Sequence, residues 1–241
     1  MFTTDFTVRY NEIGPDRLAT AATILTYLQD TAIEHSEAIG FGLDRLIELH
    51  KAWILLWWRV RVLRYPHYGE KVYSTTWPSK FVGVTGKREF TIRDIKGSPI
   101  VRADSMWAMY NTAKARLCAV GKEIAAAYRA ENVRVFDTEY EEITLPRDLE
   151  KRDSFHVRKH DIDTNSHVNN VRYLDYAIEQ YGEFEQPSEF TVRYKKMARP
   201  DDLIFPFVLK QDNVFFCRLA AVDGADFAVI ALNFDKMYVI Q

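Results

Sequence analysis

Asp161-Ile-Asp163-Thr-Asn165-Ser-His167-Val-Asn169-Asn170-Val-Arg-Tyr173 gathers carboxylates, carboxamides and an imidazole into one short stretch. It runs straight into apolar residues at Val168, Val171, Leu174, Ala177 and Ile178. That spacing is helical, so a polar loop leads into an amphipathic helix. Asn165 or Ser166 is expected to cap it. A helix start offers unpaired N–H groups and a partial positive charge, which suit an oxyanion. His167 can carry a proton near neutral pH, Asp163 can hold its imidazole, and Asn165 can donate a hydrogen bond. These groups suffice to hydrolyse an acyl compound with water. The same residue types also serve as plain turn and cap residues. A calcium loop is excluded: Ser166 stands where a glycine is needed, and Arg172 where the bidentate glutamate belongs. One histidine and one aspartate make no zinc site.

A weak internal repeat decides between chemistry and capping. Phe6-Thr-Val-Arg9 aligns with Phe155-His-Val-Arg158 at an offset of 149, which also sets Ile13 on Ile162, Leu25 on Leu174 and Tyr27 on Tyr176. Further on, Val60-Arg61 aligns with Val192-Arg193 at an offset of 132. The first copy carries Gly14, Asp16 and Leu18 where the second has Asp163, Asn165 and His167. A leucine transfers no proton, so any chemistry belongs to the second copy, and the first is free to shape a substrate pocket.

The surrounding pattern is of strands and hairpins. Strands are expected at 6–10, 53–63, 71–77, 82–93 and 100–110, with a helix from Leu18 to Ile39 stopped by Gly40 and Gly42. Asp94 to Gly97 reads as a hairpin turn. A short helix is expected at 124–128 within a connector rich in Ala, Lys, Arg and Glu. Strands follow at 154–159, 189–195, 203–210, 214–222 and 227–238. One helix followed by several strands, twice, is an α+β plan with antiparallel sheets.

Composition narrows the function class. The chain has 241 residues, 47% hydrophobic and 27% charged, with a net charge of −2, which is globular and gives no nucleic-acid character. No apolar run is long enough for a membrane span, and the start lacks the features of a signal peptide. Cys118 and Cys217 form no metal motif, and free thiols suit a reducing cytoplasm.

Asp163-x-Asn165-x-His167-Val-Asn-Asn170, followed by Tyr173 and Glu179, resembles the signature of the acyl-acyl carrier protein thioesterases, the plant and bacterial enzymes that end fatty acid synthesis. The resemblance extends over most of the chain, through the early helix and the tryptophan-rich strand near Trp53. It implies two tandem hot-dog domains, each a long helix wrapped by an antiparallel sheet, forming an intrachain pseudo-dimer. The expected division is 1–130 for a pocket-forming domain, 131–150 for a linker and 151–241 for the domain with the catalytic motif. The implied reaction is hydrolysis of a fatty acyl thioester on the phosphopantetheine arm of acyl carrier protein. Asp163, Asn165 and His167 are the catalytic residues, with no cofactor and no metal. The partner is acyl carrier protein; a homodimer stays open. Plant members read Tyr-Arg-Arg-Glu-Cys after the second-half strand, whereas this chain reads Tyr194-Lys-Lys-Met197-Ala198. The glutamate and cysteine given roles there are absent, which keeps open a non-catalytic acyl-binding protein; a coenzyme A thioesterase is the other alternative. Acyl carrier proteins are acidic, so Arg59, Arg61 and Arg64, and Arg193, Lys195, Lys196 and Arg199, are candidates for a docking patch.

Overall fold

The structure, a computed structural model, describes residues 1–235. It divides into a unit spanning Met1–Glu139 and a second beginning at Tyr140. In the first unit, β1 (Phe2–Thr7) leads to α1 (Ala21–Ala38) and the short α2 (Leu43–Glu48). Then come β2 (Lys51–Val62), β3 (Lys71–Val82), β4 (Thr85–Arg93), β5 (Pro99–Asn111), the two-residue β6 (Arg116–Leu117) and α3 (Lys122–Tyr128). The strands form an antiparallel sheet in the order β1-β3-β4-β5-β2, with β6 paired to β5.

The second unit repeats the plan in shorter form. It has the two-residue strands β7 (Glu150–Lys151) and β8 (Phe155–His156), α4 (Asn170–Tyr181), β9 (Glu189–Tyr194), β10 (Leu203–Gln211), β11 (Val214–Ala220) and β12 (Asp226–Asn233). Its antiparallel order is β9-β12-β11-β10, with β7 and β8 both on β10. The strand expected at 227–238 extends beyond the described residues in its last part.

Each unit buries one helix stripe against one sheet face. Ile24, Leu25 and Leu28 of α1 lie in a core with Trp58, Val60, Phe90, Ile92 and Val101. Leu174 and Ala177 of α4 share a core with Phe190, Val192, Ile204, Cys217, Ile230 and Leu232. A side cluster of Phe41, Leu46, Met109, Val120, Ile124 and Tyr128 seats α2 and α3. The change of repeat offset has a simple origin: α1 has 18 residues and α4 has 12, and α2 has no counterpart among the described residues.

Several local expectations are corrected. The first strand is Phe2–Thr7, not 6–10, and α1 starts after Leu18, whose backbone bridges His67 instead. The stretch read as one strand at 82–93 is the end of β3, a turn at Gly83, which has φ 57°, and then β4. The strand expected at 154–159 is only Phe155–His156, followed by a 3-10 turn at Lys159–Asp161.

The first part of the expected linker is strapped to the first unit. The Trp77 indole donates to Val133 O at 2.9 Å, and the Val135 N–H donates to Glu89 at 3.1 Å. Beneath it lies a buried charge network. Arg59 donates to both oxygens of Asp104 at 2.9 and 2.7 Å and to Thr138 O at 3.2 Å, and Lys87 reaches Asp104 at 3.1 Å. Phe136 lies over the Arg59 guanidinium at 4.0 Å. Arg59 is therefore a buried, paired residue and forms no part of an exposed docking patch.

Candidate active site

The Asp161–Tyr173 stretch is held by residues that do no chemistry. Asp161, only 2% exposed, accepts from the Arg158 N–H at 2.9 Å and from the Tyr176 hydroxyl at 2.8 Å. Burial and this bond to a carboxylate push the Tyr176 phenol well above its ordinary range. The loop then closes on itself: Asp163 N–H donates to His167 O at 2.8 Å, and Ser166 N–H donates to Asp163 O at 3.1 Å. Ser166 takes φ 60°, a left-handed turn conformation. Val168 N–H donates to Ala198 O at 2.9 Å, which ties the loop to the segment after β9.

The first copy repeats the backbone bonds of this loop, and Asp16 there accepts the Leu18 N–H at 3.0 Å. Glu12 accepts from the Arg9 N–H and the Tyr27 hydroxyl, both at 2.7 Å. Gly14 N–H donates to Leu18 O at 2.9 Å, Arg17 N–H donates to Gly14 O at 3.0 Å, and Arg17 has φ 63°. Ala19 N–H donates to Pro66 O at 2.9 Å, as Val168 does to Ala198. The loop geometry thus forms with glycine and leucine at the positions of Asp163 and His167.

The three predicted residues are neighbours, with roles that differ from the expectation. Asp163 Oδ1 accepts the backbone N–H of Asn165 at 2.8 Å and of His167 at 3.3 Å, so the carboxylate braces the loop backbone. The Asn165 carboxamide lies 3.5 Å from Asp163 Oδ2. Among the described residues the His167 imidazole has no hydrogen bond, and Asp163 does not hold it. The N-cap is neither Asn165 nor Ser166: Asn169 accepts from the Val171 N–H at 3.0 Å. The reason is position, since Asn169 directly precedes the first helical residue, as Thr20 does in the first copy. Asn169 thus occupies the Val171 N–H at the helix start.

His167 opens onto a cleft of about 530 Å³ lined by Lys196, Met197, Arg199, Asp202, Leu203, Val222, Asp223 and Phe227 among others. Met197 is 46% exposed, so the residue in the place of the family glutamate stands beside His167 in water, not in the core. Ala198 is fully buried, and its N–H donates to the Tyr173 hydroxyl at 2.9 Å. Asp202 and Asp223 balance the charges of Lys196 and Arg199. Lys196 pairs with Asp223 at 3.0 Å, and the Ala225 N–H first, then this pair, hold the Asp223 carboxyl below its usual range. Sequence reasoning missed Asp202, which sits in an irregular turn whose periodicity carries no signal; its Oδ2 accepts the Arg199 N–H at 2.8 Å. Cys217 is buried with its thiol pushed far up, which removes it as a nucleophile. Among the described residues no cluster of His, Cys, Asp and Glu could hold a metal, and no helix is long and apolar enough to cross a membrane.

Two family models match the chain: the acyl-ACP thioesterase N-terminal domain at residues 1–128 and the acyl-ACP thioesterase C-terminal domain at residues 146–234. A chloroplastic dodecanoyl-[acyl-carrier-protein] hydrolase of Cinnamomum camphora is 30% identical, covering 85% of this chain and 58% of that protein. A chloroplastic palmitoyl-acyl carrier protein thioesterase of Arabidopsis thaliana is 27% identical, covering 85% and 54%. The chain thus spans a little over half the length of these curated relatives. Among solved structures, a 12:0-ACP thioesterase from Umbellularia californica superposes with a TM-score of 0.85 at 24% identity, covering 97% of this chain and 96% of that one. An acyl-ACP thioesterase from Bacteroides thetaiotaomicron gives a TM-score of 0.85 at 21% identity, with 97% of each chain covered. The fold is the α+β hot-dog fold.

Proposed function

Since this chain belongs to the acyl-ACP thioesterase family, we propose that it hydrolyses fatty acyl thioesters of acyl carrier protein to free fatty acid and the carrier thiol. The observation that carries the proposal is the doubled loop. Its first copy folds with Leu18, and there Asp16 supplies the carboxylate that accepts the residue-18 N–H, so the imidazole of His167 is not required for the loop geometry and is free to serve a reaction. In the proposed mechanism His167 takes a proton from water, and the hydroxide adds to the thioester carbonyl. The Asn165 carboxamide donates to the resulting oxyanion. The C–S bond then breaks, and the leaving thiolate recovers the proton from His167. Asp163 fixes the backbone of both residues and places a negative charge near the imidazolium. General acid–base catalysis contributes roughly a hundred- to ten-thousand-fold, and an oxyanion donor a comparable factor.

In this reading the second unit, nominally 151–241, carries the reaction, the first, nominally 1–130, shapes the pocket, and 131–150 joins them. A cytoplasmic location remains part of the proposal, supported by two free cysteines, although the plant relatives are chloroplastic. One chain suffices for the mechanism; sedimentation velocity would report a homodimer. A non-catalytic acyl-binding role is the second reading. The absence, among the described residues, of a hydrogen bond to the His167 imidazole favours it, together with apolar Met197 on the same cleft. The decisive experiment gives purified protein decanoyl and palmitoyl thioesters of acyl carrier protein and of coenzyme A, and measures released thiol. Preferential turnover of the carrier-protein thioesters is expected. Turnover of coenzyme A thioesters alone would replace the carrier; binding without turnover would make the protein an acyl binder.

A further inference from the structure

Arg88, on β4, is buried at 7% exposure, and among the described residues it has no carboxylate partner. Its contacts are neutral: Nη1 lies 2.9 Å from His35 Nδ1 and 3.3 Å from Thr76 Oγ1, and the guanidinium sits 5.1 Å from the Tyr128 ring centre. A buried cation without an anion is costly and is usually compensated. An arginine only donates, so His35 Nδ1 must accept, and the ring proton is on Nε2. The ring stacks on Phe2 at 5.4 Å and meets the edge of Tyr128 at 5.5 Å, so its orientation is fixed.

His35 lines a cavity of about 680 Å³ in the first unit, within the range of ligand sites. The other walls are Met1, Phe2, Ile39, Ala126, Ala127 and Tyr128, with Arg129 and Glu131 at the polar edge. Glu131 is already paired with the Met1 amino group, whereas Arg129 has no partner among the described residues. The surplus charge is positive and the walls are apolar. A bare inorganic anion would use the His35 and Arg129 donors but leave the apolar walls unused. An amphiphile with a compact anionic head fits both features.

We propose that this cavity is a second ligand site that binds the carboxylate of a fatty acid, with the His35 Nε2–H as donor, Arg88 as the buried countercharge, and the chain lying on Phe2, Ile39 and Ala126. None of these residues lines the His167 cleft, so the site stands whether or not the thioesterase reading holds.

The test uses decanoate and decanol, which share a chain and differ in charge, with the full chain labelled at histidine nitrogen. Decanoate should move the His35 ring signals in saturable fashion, and decanol should bind about tenfold more weakly, the equivalent of about 1.4 kcal/mol. Arg88→Met should keep the fold and weaken decanoate at His35 by a similar factor. An unmoved His35 ring, or decanol binding as tightly as decanoate, overturns the proposal. Both outcomes are read on the unaltered protein, so misfolding of the variant leaves the test intact.

Discussion

Replacing His167 by leucine puts into the second loop the residue that the first loop has at Leu18. The structural cost is small. The backbone bonds of residue 167, to the Asp163 N–H at 2.8 Å and the Asp163 carboxylate at 3.3 Å, do not involve its side chain. Among the described residues the imidazole makes no hydrogen bond that leucine would lose, and the leucine faces an open cleft. The stability change should stay within about 1 kcal/mol, or roughly 2–4 °C in Tm for a chain of this size. Turnover is different, because leucine cannot accept a proton from water. Loss of a general base should lower kcat by about a hundredfold or more. The assay is thiol release from acyl carrier protein thioesters, with the Tm measured on the same preparation. Activity within about threefold of the parent would remove His167 from proton transfer, since general base catalysis is worth far more. A fall in Tm of about 8 °C or more would refute the claim that the loop stands without the imidazole.

Three further outcomes follow from particular contacts. Met197→Glu places a carboxylate at a position that is 46% exposed, so it should stay ionised, leave Tm unchanged and at least preserve hydrolysis; a folded variant slower at every pH would show that the site has no use for a second acid–base group. Asp104→Asn leaves Arg59 and Lys87 buried without their shared anion, and should cost about 3–5 kcal/mol and speed proteolysis within residues 131–139; an unchanged urea midpoint would sink this account of the strap. His35 is pushed from 6.5 down to about 4 by burial first and Arg88 second, so the unfolded chain takes up this proton before the folded one. Its contribution is therefore intact above pH 6.5 and is lost as pH falls toward 4, by about 3 kcal/mol; urea melts of His35→Gln should lose less stability over that window, and parallel curves for parent and variant would refute it.

Much of the fold was legible because the repeat is physical. The offset of 149 places Phe6 on Phe155 and Tyr27 on Tyr176, and in the structure each copy makes the matching ring contact, Phe6 with Tyr27 at 4.2 Å and Phe155 with Tyr176 at 4.9 Å. Periodicity found α1 and most long strands, since each buries one stripe or face. What failed was local. A stretch rich in Asp, Asn and Ser offers several plausible caps, and only the backbone path selects Asn169 over Asn165. Alternation correctly separates Arg59 from Val60, but it cannot show that residues 131–139 return to cover the arginine face. Of the cleft lining, the sequence singled out His167 and Met197 for the site, and Lys196 and Arg199 only as candidates for a docking patch. Arg199 and Asp202 lie in an irregular turn, with Asp201 at φ 66°, and such turns have no period to read.

The two copies explain why one of them has a usable cleft. At the offset of 132, Met197 corresponds to Tyr65, Arg199 to His67 and Asp202 to Glu70. The turn itself is conserved in shape. His67 N–H donates to Glu70 Oε2 at 3.0 Å, as Arg199 N–H donates to Asp202 Oδ2 at 2.8 Å. Glu70 N–H returns to His67 O at 3.0 Å, as Asp202 N–H returns to Arg199 O at 3.2 Å. The side chains diverge on this common backbone. Tyr65 is buried at 1%, and Arg64 is clamped by Glu70 at 2.9 and 2.7 Å, which holds the Glu70 carboxyl below its usual range. In the second copy Met197 is exposed, and the Asp202 side chain lines the cleft with His167. Backbone bonds, with carboxylates at Glu12, Asp16 and Glu70 in one copy and Asp161, Asp163 and Asp202 in the other, carry the loop and the turn, so the remaining side chains are free to differ at little cost to folding. One copy uses that freedom to bury an aromatic ring and close an ion pair; the other leaves His167 and Met197 on an open cleft.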